Sequence, residues 1–244
     1  MKKLIAILAV AFAGGATAQT DAQLRADGTK AGNTDNVLTY GMGYHQNRYS
    51  PLDKINKGNV KRLVPVWSTS LDNELGEQAQ PLIYEGVMYV SNARWTYAID
   101  ALTGKVIWRT AVNFDPDTPR VVCCGNSNKG VAIYNGKVFR GTLDAFVIAL
   151  DMKTGKEVWR QKAAEWKEGY SMTVAPQIAN GVVITGCSGA EFGARRVCEV
   201  VRTNAGATAR QIVDAIFDEV NQFRGTVIQN DDMTAVAVKI TGAR

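Results

Sequence analysis

Histidine is nearly missing from this chain: His45 is the single one in 244 residues. That scarcity excludes a His-rich zinc site and counts against a Ser-His-Asp triad. Long hydrophobic runs are missing too. Beyond the N-terminal segment no stretch is long and apolar enough to cross a bilayer, so no membrane span is expected. Lysine and arginine outnumber the acids by 28 to 23, yet they are scattered along the chain. Without a basic stripe interleaved with aromatics, nucleic acid is not an expected partner. What remains is globular material, 46% hydrophobic and 21% charged, which sets disorder aside.

The N-terminus reads as an export leader, residues 1–18. Lys2 and Lys3 form a short basic region, and Leu4 to Ala13 is an apolar run too short to span a membrane. Ala16-Thr17-Ala18 then supplies small residues for cleavage before Gln19. The competing reading is a buried N-terminal helix. Cleavage predicts a periplasmic address and lowers the formal net charge of +5 by the two lysines. Export also permits disulfides. The cysteines are Cys123, Cys124, Cys187 and Cys198, the first two adjacent.

The chain contains a repeat. Ala98-Ile99-Asp100-Ala101-Leu102-Thr103-Gly104-Lys105-Val106-Ile107-Trp108 matches Ala149-Leu150-Asp151-Met152-Lys153-Thr154-Gly155-Lys156-Glu157-Val158-Trp159 in the pattern Ala-x-Asp-x-x-Thr-Gly-Lys-x-x-Trp. Physically this is a hairpin. An apolar strand ends at the Asp, Thr-Gly turns the chain with Gly free to take positive φ, and a second strand runs to the Trp. Another strand pair precedes each copy, in residues 81–100 and 130–151. About four short antiparallel strands per unit is the mark of a propeller blade, with the Trp docking between neighbours. A third unit opens at Ala175-Pro176, with strands in Ile178 to Gly186. A closed propeller needs about four to eight blades. The expected fold is therefore all-β, an incomplete β-propeller of two four-stranded blades and part of a third.

Several segments in order carry a family resemblance. They are Tyr40-Gly41, Arg48-Tyr49-Ser50-Pro51-Leu52 and Ile55-Asn56; Gly76-Glu77-Gln78-Ala79-Gln80-Pro81-Leu82; Cys123-Cys124-Gly125-Asn126-Ser127-Asn128-Lys129-Gly130; Thr173-Val174-Ala175-Pro176; and Ser188-Gly189-Ala190-Glu191-Phe192-Gly193-Ala194-Arg195. Residues 36–195, after a short lead at 19–35, resemble the N-terminal part of the pyrroloquinoline-quinone (PQQ) dependent methanol and ethanol dehydrogenases. The resemblance implies oxidation of a primary alcohol with hydride transfer to PQQ, a calcium or lanthanide ion, a small alcohol substrate and a cytochrome c acceptor.

Each segment has its own chemistry. Adjacent cysteines can close an eight-membered disulfide ring, rigid because consecutive Cα atoms sit closer than disulfides prefer. From the residues alone, two free thiols in a turn are an equal reading. The resemblance implies the ring, with Cys123 and Cys124 against one face of the quinone. Glu191 alone reads as a solvated loop acid; the resemblance makes it a metal ligand, a hard oxygen donor suited to calcium. It likewise implies cofactor contacts for Gln78, Lys129, Thr173, Ser188, Gly189 and Ala190. Two positions depart from the family pattern. Glu77-Gln78 stands where Gln-Glu is usual, which keeps a hydrogen bond and drops a charge. Lys129 replaces an Arg, substituting a point charge for a bidentate fork.

After Arg195 the resemblance ends. The family's Asn metal ligand, Asp general base and second stacking Trp have no counterpart, so the expectation for this chain alone is weak or no quinone binding and no turnover. A junction is expected at 196–206. From Thr208 a helix is expected: Ala209, Ile212, Val213, Ile216, Val220 and Phe223 make one apolar stripe, and Thr208-x-x-Gln211 opens it as a capping box. Asn230-Asp231-Asp232-Met233-Thr234 and a strand from Ala235 to Ile240 follow, with nothing that reads as a blade. Residues 199–241 resemble the C-terminal end of bacterial metal-dependent serine phosphatases of stress and sporulation signalling, which implies a metal-ligating role for Asp231. Otherwise Asp231-Asp232 is an acidic turn. The 207–244 segment is thus expected to be a helix-strand appendage of different origin. Against a dehydrogenase fragment stand two other readings. One is a non-enzymatic propeller scaffold, which has no use for Cys123-Cys124 and Glu191. The other is a phosphatase, which needs more acidic ligands than Asp231 and Asp232.

Overall fold

The computed structural model describes residues 19–29, 34–72, 77–122, 125–187, 194–224 and 235–239. A short helix, α1 (Asp21–Ala26), starts at a capping box in which Thr20 and Gln23 exchange side-chain and backbone hydrogen bonds. Two four-stranded antiparallel sheets follow. The first blade is β1 (Leu82–Tyr84), β2 (Val87–Ser91), β3 (Trp95–Asp100) and β4 (Val106–Ala111). After a single helical turn, α2 (Thr118–Val121), the second is β5 (Ala132–Tyr134), β6 (Lys137–Gly141), β7 (Phe146–Asp151) and β8 (Glu157–Lys162). A third sheet is built from β9 (Gln177–Ala179), β10 (Val182–Gly186) and, far along the chain, β11 (Ala235–Lys239). Two helices, α3 (Ala194–Thr203) and α4 (Ala209–Arg224), lie between β10 and β11 in sequence.

Local chemistry explains the hairpins. The first turn of each sheet is a two-residue loop with both residues at positive φ: Glu85-Gly86, Asn135-Gly136 and Asn180-Gly181. This is the turn whose twist matches the strands, and Asn-Gly adopts it most readily. The Asp-x-x-Thr-Gly turns are equally regular. The Asp100 carboxylate accepts hydrogen bonds from the Thr103 hydroxyl and backbone, each at 2.8 Å, and from the Leu102 amide at 3.0 Å. Asp151 does the same with Thr154 and Lys153. The bonds from Thr103 hold the Asp100 carboxyl below its ordinary range. Burial acts to raise the Asp151 carboxyl, and the bonds from Thr154 and Lys153 outweigh it, so it too is lowered.

The repeated Trp locks one blade onto the next. The Trp108 indole N–H donates to the Met152 carbonyl at 3.0 Å, and the Thr110 hydroxyl donates to the Gly155 carbonyl at 2.6 Å. Gly155 lies flat against the indole: a Cβ there would sit 2.5 Å from Trp108 Cε3. Trp67 repeats the arrangement one step earlier. It donates to the Ala101 carbonyl at 3.1 Å, lies 2.5 Å from the same position on Gly104, and is followed by Thr69 donating to the Gly104 carbonyl. Around Trp108 the main core gathers Leu82, Tyr89, Ala98, Ile133, Phe139, Ile148 and Leu150.

The third sheet differs from expectation. Its third strand comes from the tail that reads as foreign to a blade: β11 pairs with β10 over five positions, from Val182 opposite Lys239 to Gly186 opposite Ala235. The physical reason is the free edge of β10, whose unpaired N–H and C=O groups accept any strand of suitable length. The stretch expected as a junction is also mostly helical, because Val197, Val200 and Val201 recur at helix spacing and Cys198 shares their buried side. The fold is therefore mostly β, and the expected helix α4 is joined on this sheet by a second one, α3, that was not expected. Both pack on the third sheet in a core of Ala179, Val182, Ile184, Cys198, Val201, Ile212 and Ile216. Each such Ile or Val contributes about 1.5–3 kcal/mol when fully buried. The capping box at Thr208 and Gln211 starts α4.

Candidate functional site

Three of the residues singled out from the sequence stand on segments that the fold ties together by main chain alone. The Gln80 N–H donates to the Lys129 carbonyl at 3.2 Å, and the Lys129 N–H donates to the Thr173 carbonyl at 2.8 Å. Gln80 and Gly130 also form a parallel β-bridge. The segments leading into the first strands of all three sheets therefore touch in sequence, placing the Gln78, Lys129 and Thr173 segments side by side. Gln78 is exposed, Lys129 half-buried and Thr173 buried. Glu77 is turned to the first blade, where its carboxylate accepts from Asn92 Nδ2 at 3.2 Å. Cys123, Cys124, Ser188, Gly189, Ala190, Glu191 and Asp231 lie outside the described residues.

Beneath these segments is a polar network that sequence reading missed. Asn128, adjacent to Lys129, is 2% exposed. Its Oδ1 accepts from the Ser91 hydroxyl at 2.6 Å and from the Gly130 N–H at 3.1 Å, while its Nδ2 donates to the Gly141 carbonyl at 3.2 Å. Arg140 also donates to that carbonyl, at 3.1 Å. This arginine is 1% exposed, and its other acceptors are the carbonyls of Asn92, Ala93 and Trp95 and the Thr96 hydroxyl. Burial lowers the guanidinium to about 9, still protonated at neutral pH. The sequence signal for it was a charge on the inward beat of an apolar strand. The network holds the loop that carries Lys129 against both blades.

Nearby, Asn126 Oδ1 and Ser171 Oγ are buried without a hydrogen-bond partner. Unpaired buried polar atoms are costly, about 1–3 kcal/mol each, and a polar ligand relieves that cost. The Ser171 hydroxyl, the Gln78 amide and the Lys129 ammonium are groups that can donate to an acidic molecule, while Asn126 Oδ1 can only accept. Among the described residues, no three His, Cys, Asp or Glu side chains gather as a metal would require.

Comparison with known proteins decides the relationship. The profile described as "PQQ: Glucose/ethanol/alcohol dehydrogenase, beta-propeller domain" matches residues 38–203. The chain belongs to this family of PQQ-type dehydrogenase propellers. The family match runs past Arg195, into α3. Quinoprotein alcohol dehydrogenase PedH of Pseudomonas putida is 49% identical over 164 residues, 66% of this chain and 27% of that protein. The 1-butanol dehydrogenase (quinone) of Thauera butanivorans is 42% identical over 202 residues, 79% of this chain and 32% of its own length. Among solved structures, a europium-containing methanol dehydrogenase superposes with a TM-score of 0.61 at 34% identity, over 66% of this chain and 28% of that one. The quinohemoprotein alcohol dehydrogenase from Comamonas testosteroni gives 0.61 at 38% identity, over 69% and 27%. This PQQ-family chain thus spans about a quarter to a third of those relatives' length.

Proposed function

We propose that this chain is the N-terminal piece of a periplasmic quinoprotein alcohol dehydrogenase and carries one part of a PQQ site. The observation that supports this most directly is the main-chain series Gln80–Lys129–Thr173, which lines up three family-matched segments. In this reading Gln78, Lys129 and Thr173 hold the acidic groups of the cofactor. The Cys123-Cys124 ring covers one face, Ser188, Gly189 and Ala190 line the rim, and Glu191 binds calcium or a lanthanide. When bound, PQQ supplies the hydride acceptor for oxidation of a primary alcohol. The chain's own part is binding and orientation: Lys129 places a positive charge, Gln78 and Thr173 place hydrogen bonds, and the Asn128–Arg140 network keeps them from shifting.

No residue here stands where the family has its general base, its Asn metal ligand or its second stacking Trp, so this chain alone performs no turnover. Electron delivery to a cytochrome c belongs to the parent enzymes in the same reading. In the same reading the tail beyond the family match, which ends at residue 203, is of separate origin and comes from a serine phosphatase C-terminus. Here it serves packing through α4 and β11, and in this reading Asp231 corresponds to a metal-ligating aspartate of that family. Sequencing the source DNA across codons 190–205 tests that part, and an uninterrupted dehydrogenase frame there would refute it.

Titrating the purified chain with PQQ and calcium, followed by the cofactor's absorbance, tests the site. The expected result is weak binding that drops about tenfold, or 1.4 kcal/mol, in Lys129→Ala, with no alcohol-dependent dye reduction. Binding indifferent to Lys129 and to thiol reduction would sink the site; alcohol turnover would sink the claim of inactivity.

A further inference from the structure

The joint made by Trp67 has a strand but no sheet behind it. Trp108 and Thr110 grip the Gly155 turn from β4, the outermost strand of the first blade. Trp67 and Thr69 grip the Gly104 turn in the same way, from residues 63–71, which belong to no sheet. Side chains two apart that meet one turn require the alternation of a strand. Leu63 to Leu71 therefore lies on the first blade as β4 lies on the second. Among the described residues, the main-chain N–H and C=O groups of Val64 to Ser70 make no hydrogen bond. Val64 and Val66 are 75% and 86% exposed.

The finished blades show which way each edge of this segment points. The Val112 N–H donates to the Arg94 carbonyl at 2.7 Å, so Trp108 and Thr110 turn their main-chain groups toward β3, and Arg109 and Ala111 turn theirs outward. In β8 the bond from the Ala163 N–H to the Ala145 carbonyl sends Arg160 and Lys162 outward. By the same alternation Val64, Val66 and Ser68 present N–H and C=O groups at the outer edge. Pro65, with no N–H to give, falls on the inner one. Charge guards the outer edges of the blades, Arg109 on one and Arg160 and Lys162 on the other. The run from Leu63 to Leu71 carries no charge at all.

We propose that the outer edge of residues 63–71 joins two copies of this chain into a dimer, the two segments pairing antiparallel about an axis at Val66. Val66 then faces its own counterpart, and Val64 faces Ser68 of the second copy. A symmetric contact sets each residue near the axis opposite itself or a close neighbour. A charge in this run would meet its like, and the run has none. Pairing at the outer edge also sends the two first blades away from each other, whereas the inner edge would bring both into the same space. The far end of the chain takes no part. Ile184, which holds the register position that Tyr89 and Phe139 hold in the blades, lies under α3 and α4. With one end covered and one open, the assembly closes at two copies instead of growing into a chain.

Sedimentation velocity of the purified chain over a range of concentrations tests this, with no cofactor added. The expected result is a monomer passing to a dimer and no larger species. Val66→Lys, at an exposed position that leaves the fold intact, should raise the dissociation constant about tenfold or more. Val66→Cys should give a reducible dimer on mild oxidation, since paired residues in such a ladder have Cα atoms about 5.5 Å apart, within disulfide reach. Val158→Cys, exposed on the guarded edge of β8, should stay monomeric under the same oxidation. A chain that stays monomeric throughout, a dimer indifferent to Val66→Lys, or equal cross-linking at Val158 would overturn the proposal. Species beyond the dimer would overturn its closure at two copies.

Discussion

The first two blades and the third sheet solve the same problem by different means. Both blades end in a fourth strand, and Trp108 of the first docks on Gly155 of the second. Among the described residues the third sheet has three strands, and α3 and α4 cover it. Trp159 repeats the pattern in sequence and lies tilted against Phe139, with ring centroids 5.9 Å apart. Where the blades place Asp100 opposite Val87 and Asp151 opposite Lys137, the third sheet places Lys239 opposite Val182. One register survives the change: Ala237 faces Ile184 as Ala98 faces Tyr89 and Ala149 faces Phe139. Strand pairing asks only for an edge and an alternation, whereas blade stacking asks for particular residues.

The sharpest way to break this comparison is Trp108→Ala. It removes a buried ring and leaves the Met152 carbonyl only the longer 3.5 Å bond from the Tyr89 hydroxyl, so a loss of about 3–5 kcal/mol is expected in urea unfolding. Trp67→Ala, at a half-buried copy of the same joint, should cost less. Next comes Ile212→Ala, expected to cost about 2–4 kcal/mol but locally. Hydrogen exchange should quicken in β10, β11 and α4 while β2, β3, β6 and β7 keep their protection. Equal acceleration in all sheets would mean the third is no separate unit. Gly155→Ala is smaller, about 1–3 kcal/mol, since it combines a φ of 71° with the indole contact.

The weakest lever is acid. Asp100 and Asp151 have folded pKa values below their unfolded ones, so their stabilisation is complete above the unfolded value of about 3.9. It is lost as pH falls through the lower folded values. Asp151→Asn together with Asp100→Asn should therefore lower stability at neutral pH and flatten its fall below about pH 4. A double variant with an unchanged acid limb would show that these turns are held by their glycines alone.

How much of this was legible in the sequence follows from which interactions are local. The Asp-x-x-Thr-Gly turns and the α4 capping box close within a few residues, so their letters disclose them. The two blades were legible because that local pattern repeats. The partner of β10 was not, since β11 arrives from the far side of two helices and its alternation of Ala and Val suits any edge. Helix α3 was hidden by expecting a break where apolar spacing continued. At the candidate site, Lys129 and Thr173 could be named from family-matched segments, but Asn128 and Arg140 work through carbonyls of distant residues. Hydrogen bonds to backbone leave no mark on the sequence of the accepting partner.

The contact of Gln80, Lys129 and Thr173 through main chain has a consequence for how such a site changes over time. A hoop held by amides and carbonyls is indifferent to what projects from it. Glutamine can stand for glutamate at residue 78, or lysine for arginine at residue 129, with the backbone held as before. Ligand preference can drift residue by residue while the frame that presents those residues stays the same.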